Sequence, residues 1–128
     1  MSMTLKDFVA AAKGRIREVS VAEAARAMEQ DPAPLVVDVR EPGEWAESHL
    51  ANAILVPRGM VEAKADLDYP NREPRLADRH QPIILHCASG ARSALAADVL
   101  QQMGFTNVCS MAGGIAAWKE AGLPVVKG

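Results

Sequence analysis

Short apolar runs alternate along this chain with segments of helical period. The stretches 35–39 (LVVDV), 53–56 (AILV) and 82–87 (PIILHC) are too short for buried helices and read as strands covered on both faces. A brief strand is expected at 15–19 (RIREV) and a last one at 107–111 (NVCSM). Between them lie helices. Thr4 can cap a first helix on which Leu5, Phe8, Val9 and Ala12 share a face. Ser20 and Glu23 have the spacing of a capping box, and the helix they open is expected to run to the prolines Pro32 and Pro34. The segment 41–49 (EPGEWAESH) predicts a turn and a short helix. Residues 91–103 predict a longer helix, with Leu95, Val99 and Met103 as its apolar stripe and Gly104 as its stop. Gly113 and Gly114 predict a turn before a final helix carrying Ile115 and Trp118. Residues 57–80 are polar and proline-containing, the character of a functional rim or a long crossing.

This alternation predicts an α/β fold with one central, mostly parallel sheet of about five strands flanked by helices. The expected division is an N-terminal helix at 1–14, part of or appended to a domain at 15–128. A length of 128 residues suits a single core. With 49% hydrophobic and 23% charged residues the composition is ordinary for a globular domain, and a net charge of −2 argues against general nucleic-acid binding. Two cysteines, Cys87 and Cys109, make neither a disulfide framework nor a metal-ligand spacing, which favours a reducing compartment. No apolar stretch has the length of a signal-peptide core or a membrane span, so no membrane partner is expected and the cytoplasm is the expected location.

The candidate chemistry sits at 86–94 (HCASGARSA). A cysteine at the carboxyl end of a buried strand, just before a helix, occupies the place where open α/β sheets bind ligands. Backbone N–H groups of the loop and of the helix's first turn can point at its sulfur, favouring thiolate and cradling an anion. Gly90 permits a backbone conformation closed to other residues, and Ala88, Ser89 and Ala91 are small enough for tight curvature. Arg92 adds a permanent positive charge, and the Ser93 hydroxyl can cap the helix or donate toward the sulfur. A lone buried cysteine is ordinarily inert packing; the loop, the arginine and the strand–loop–helix setting together argue for function. The segment resembles the phosphate cradle of cysteine phosphatases, but that cradle has five residues between cysteine and arginine, and here there are four.

With four intervening residues, CASGARS resembles the active-site loop of the rhodanese (sulfurtransferase) family. The resemblance extends through LVVDVREPGEW at 35–45, SHLANAILVP at 48–57 and NVCSMAGGIAAWKEAGLPV at 107–125, in the family's order. It implies a rhodanese-like three-layer fold. It also implies that Cys87 takes a sulfane sulfur from a small anionic donor such as thiosulfate. The sulfur is then held as a persulfide and passed to cyanide, a thiol or a protein acceptor, with no metal or organic cofactor. Ala88, Ser89, Gly90, Ala91, Arg92 and Ser93 would form the cradle. The shorter loop suits one added sulfur better than a tetrahedral phosphoryl group. The alternatives are a cysteine-dependent phosphatase or arsenate reductase, and a non-enzymatic sulfur-carrier or regulatory module.

Other residues carry smaller expectations. Arg58 is a candidate for attracting the anionic donor at the pocket mouth. Asp38 and Arg40 are expected to fix the rim by pairing, Glu44 to be a polar anchor, Trp45 a core aromatic and His49 a hydrogen-bonded turn residue. Because neighbouring strand residues face opposite sides, His86 is expected behind the loop and away from the Cys87 sulfur. Arg72, Arg75 and Arg79 read as a solvated surface, and Cys109 as core.

Overall fold

A computed structural model describes all residues, 1–128. Strands β1 (Arg17–Val19), β2 (Leu35–Asp38), β3 (Ala53–Leu55), β4 (Ile83–His86) and β5 (Val108–Met111) form one sheet in the order β1-β5-β4-β2-β3. Every ladder in it is parallel. The helices are α1 (Leu5–Lys13), α2 (Val21–Met28), α3 (Pro42–Glu47), α4 (Val61–Ala65), α5 (Ala91–Gln102) and α6 (Gly114–Glu120).

Side chains alternate between the two faces of each strand, which divides the interior into two cores. Val37, Val39, Leu85 and Val108 pack with Val61 and Ala65 of α4 and with Ala96, Ala97 and Leu100 of α5. Val36, Ile84, Cys109 and Met111 pack on the opposite side with Val21 and Ala24 of α2 and with Ile115 and Trp118 of α6. The result is the three-layer arrangement of an α/β domain. Capping boxes open α1 at Thr4 with Asp7, and α2 at Ser20 with Glu23.

Several expectations change in the structure. α2 ends at Met28, before the prolines, where Gln30 already turns back onto the Ala27 carbonyl. α1 is anchored through its C-terminal half, by buried Ala12 and by an Arg15 fork on Asp98 at 2.9 and 2.7 Å. Leu5 and Phe8 therefore stay exposed. The stripe of Leu95, Val99 and Met103 is only half-buried; the sheet-facing side of α5 is Ala94, Ala96, Ala97 and Leu100. Those alanines let the helix lie close to the strands. Residues 57–80 hold two 3-10 turns (Arg58–Met60 and Pro74–Leu76) and α4, and they close the edge of one core with Val61, Ala65 and Leu76. β3, at the sheet edge, is only partly buried. Arg79 is half-buried and engaged, not a free surface charge: it lies 4.4 Å over the Phe105 ring and donates to the carbonyls of Ala65 and Leu76. Trp45 is half-buried and stacks on His49 at 3.6 Å, outside both cores. No helix is long and apolar enough to cross a membrane.

Candidate active site

Cys87 follows the last residue of β4, and α5 starts four residues later at Ala91. Gly90 makes the junction with φ of +112°, a conformation that L side chains rarely adopt. This turn brings the Gly90 N–H to 3.1 Å and the Ser93 N–H to 3.4 Å from the Cys87 sulfur. The Ser93 hydroxyl lies 3.5 Å from it. Cys87 is 1% exposed, so the sulfur forms the floor of the loop. Burial pushes its thiol up. The Ser93 hydroxyl and the amides of Ser93, Gly90 and Ser89 outweigh that effect, and the group ends below its ordinary value.

The amides face inward because the carbonyls are engaged elsewhere. The first turn of α6 approaches from behind, where the Ile115 N–H donates to the Cys87 carbonyl at 2.9 Å. The Ala116 N–H donates to the Ala88 carbonyl at 3.1 Å. Gly114 makes this approach possible: a Cβ there would lie 2.4 Å from the Cys87 oxygen and 2.6 Å from the Ala88 oxygen.

Arg92 sits at the far end of the loop, but its charge is not free. It forms a two-pronged salt bridge with Glu44 of α3 at 2.7 and 2.9 Å, which pulls the Glu44 carboxyl down to about 2. The arginine ties the start of α5 to α3, and Glu44 is the anchor's other half.

On the opposite face of the sheet, buried Asp38 at the end of β2 holds the Arg40 guanidinium, two residues further along the chain, with contacts of 2.8 to 3.1 Å. The His86 ring lies on that face too, with Nδ1 3.3 Å from the Cys87 carbonyl oxygen and Nε2 3.8 Å from Asp38. Burial lowers its pKa below the usual histidine value, against the raising influence of Asp38. His49 Nδ1 meets the Trp45 carbonyl at 3.0 Å. Arg58 leaves β3 with its N–H on the Val39 carbonyl at 3.0 Å and Nη1 on Glu62 at 2.8 Å, while its Nε is buried without a partner. None of its hydrogen bonds reaches the loop. Ala88 and Ala91 are half-buried and Ser89 is exposed at the loop's surface. No three His, Cys, Asp or Glu side chains converge on a point where a metal could bind.

Sequence reasoning found the loop but missed three supports: the pairing of Glu44 with Arg92, the close approach of Gly114, and buried Ser110 of β5, whose hydroxyl lies 2.8 Å from that of Ser93. A pair of adjacent glycines was visible as a turn, and only its second member's contact with the loop carried no local signal.

A cysteine set in inward amides at the carboxyl edge of a parallel sheet stands where open α/β domains place their ligands. The rhodanese-like domain profile matches residues 20–121, and the chain belongs to that family. It is 36% identical over 91 residues to thiosulfate sulfurtransferase 16, chloroplastic, of Arabidopsis thaliana, a match covering 69% of this chain and 76% of that one. In structure it is similar to the polysulfide-sulfur transferase homodimer of Wolinella succinogenes, with a TM-score of 0.73 and 29% identity over 94% of this chain and 85% of that one. It is also similar to a protein of unknown function from Rhodopseudomonas palustris, called a possible tyrosine phosphatase, with a TM-score of 0.91 and 29% identity over 98% of this chain and 96% of that one. Against relatives from Synechocystis and Raphanus sativus, the matched stretch is about half their length, 51% and 50%.

Proposed function

We propose that this chain is a sulfurtransferase in which Cys87 carries sulfane sulfur between a small anionic donor and a thiophilic acceptor. The observation that supports this most is the convergence of two loop amides and the Ser93 hydroxyl on the Cys87 sulfur. With thiosulfate as donor, the Cys87 thiolate attacks the outer sulfur. A new S–S bond forms, the old one breaks, and sulfite departs with its electron pair. The product is an anionic persulfide, whose terminal sulfur the cradle of Ala88, Ser89, Gly90, Ala91 and Ser93 is sized to stabilise. Cyanide, a thiol or a protein acceptor then attacks that sulfur and returns Cys87 as thiolate. No metal or organic cofactor enters these steps. Arg92, paired with Glu44, holds the loop's shape, and Arg58, itself paired with Glu62 at 2.8 Å, is the cation proposed to draw the anionic donor toward the sheet edge.

The likeness to the possible tyrosine phosphatase favours a second reading, phosphate-ester hydrolysis through the same cysteine. Four residues between Cys87 and Arg92 make a tighter ring than a tetrahedral phosphoryl group requires, so sulfur transfer is preferred. Thiosulfate–cyanide transfer and aryl-phosphate hydrolysis, assayed side by side, separate the two. Sulfur transfer without phosphate turnover is expected, and the converse would overturn the proposal. Sulfur loading without turnover to small acceptors would instead mark a carrier that serves another protein.

A further inference from the structure

The buried hydroxyl of Ser110 has no part in the steps above, yet it is hydrogen-bonded to the Ser93 hydroxyl that faces the Cys87 sulfur. It projects from β5 on the side of the sheet facing α5, where it is fully buried, and its hydrogen-bond partner is the Ser93 hydroxyl at 2.8 Å. Ser93 is fully buried as well and sits within reach of two acceptors, the Cys87 sulfur at 3.5 Å and the Gly90 carbonyl at 3.3 Å. Each hydroxyl has one proton to give. The Ser93 oxygen is the acceptor the structure offers to the Ser110 proton, and withholding it would leave a buried donor unsatisfied. If Ser110 donates to Ser93, the Ser93 proton is the one left for the sulfur or the Gly90 carbonyl.

From this geometry we infer that Ser110 is a positioning residue for sulfur transfer: it donates to Ser93 and so commits the Ser93 proton to the anionic sulfur of Cys87. The order of protons is then Ser110 to Ser93 to Cys87. When Cys87 is a neutral thiol, Ser93 turns its proton to the Gly90 carbonyl. When Cys87 ionises, its own proton goes to solvent and the Ser93 proton swings to the thiolate. Donation from Ser110 polarises the Ser93 hydroxyl and strengthens what it gives the sulfur. The same alignment would serve the anionic persulfide. The inference thus rests on Cys87 acting as an anion, and it deepens the proposed function by extending the machinery across to the neighbouring strand.

The test reads the ionisation of Cys87 directly, through the ultraviolet absorbance of the thiolate and the pH profile of alkylation mapped to Cys87. It uses the full-length chain and requires no sulfur donor. Ser110→Ala is expected to raise the midpoint by about half a unit to one unit, and Ser93→Ala to raise it further. The combined Ser93→Ala/Ser110→Ala chain should match Ser93→Ala alone, because Ser110 acts through Ser93. Ser110→Thr, which keeps the hydroxyl, should return the midpoint toward that of the parent chain.

The charged and titratable groups nearest Cys87 stay constant across these variants: Arg92 of α5 with Glu44 of α3, and His86 with Asp38 and Arg40 on the opposite face. A midpoint unmoved in Ser110→Ala, even with a lowered melting temperature, would overturn the inference, as would shifts from the two single substitutions that simply add. Failure of Cys87 to take up sulfur, with the midpoints behaving as stated, would instead overturn the proposed function and leave the proton order standing.

Discussion

Cys87, just past the end of β4, and Cys109, on neighbouring β5, are almost equally buried, at 1% and 2% exposure, yet their thiols are pushed in opposite directions. Burial opposes ionisation in both. Around Cys87, two amides and a hydroxyl overcome it. The Cys109 thiol donates to the Ile83 carbonyl at 3.7 Å, a group that offers nothing to a thiolate, and burial outweighs the lowering influence of Arg17. Cys109 sits mid-strand, where the parallel ladder consumes the amides, so burial wins and its thiol is raised. Cys87 sits just past the strand's end, where the chain turns and its amides are released toward the side chain. What separates the two sulfurs is the orientation of the neighbouring peptide groups, not depth.

The strongest way to break this comparison is to exchange which sulfur remains. After incubation with thiosulfate, the parent chain is expected to gain about 32 Da, one sulfur atom. Cys87→Ser should abolish the gain completely, and Cys109→Ser should retain it. Intact-protein mass spectrometry reads both outcomes. Retention in Cys87→Ser would mean that the amide-rich setting is not what confers reactivity.

Next in size is Gly114→Ala, which attacks the orientation of the peptides while leaving both cysteines in place. The added Cβ meets backbone oxygens at 2.4 and 2.6 Å, and φ of +58° is itself unfavourable for alanine. A stability loss of about 3 kcal/mol is expected in urea unfolding. The Cys87 titration should rise toward the ordinary thiol range while Cys109 is unaffected.

The parts of this site that can be read along the chain are those made by neighbours in sequence. The apolar run before Cys87, the glycine three residues after it and the serine at the helix start all lie between positions 82 and 93, and local rules suffice for them. Both capping boxes are legible for the same reason. Glu44 and Arg92 are 48 residues apart, and Ser93 and Ser110 are 17 apart on different elements. Their meeting depends on strand order, which hydrophobic period does not encode. Exposed Leu5 and Phe8 and half-buried Trp45 show the converse: an apolar residue announces what burial would favour, and the number of neighbouring layers decides whether it happens.

The Glu44–Arg92 bridge gives a smaller effect, and one with a defined pH window. A carboxyl held at about 2 in the folded chain contributes stability that is complete above its unfolded value near 4.5. That contribution is lost as pH falls from 4.5 through about 2. Both side chains are 35% exposed, so screening by solvent leaves about 1 kcal/mol. Glu44→Gln should lose that amount at neutral pH and show a correspondingly shallower acid destabilisation. Urea midpoints measured across this window check it. An undiminished acid dependence would assign the effect to other carboxylates.

The smallest effect sharpens the comparison from the quiet side. Cys109 borders a cavity of about 220 Å³ together with Ala24, Ile83 and Ile84, with Arg17 and Glu23 also among its lining residues. Truncating it to alanine enlarges space that already exists instead of opening a new void in tight packing. The sulfur lost there interacts as a small apolar group, so Cys109→Ala should cost about 1 kcal/mol. Because its side chain faces the α2–α6 core, across the sheet from the loop, the ionisation midpoint of Cys87 should not move. A shift at Cys87 would show that the sheet transmits changes between its two faces. The contrast between the two thiols would then be a property of the whole layer and not of the peptide groups around each sulfur.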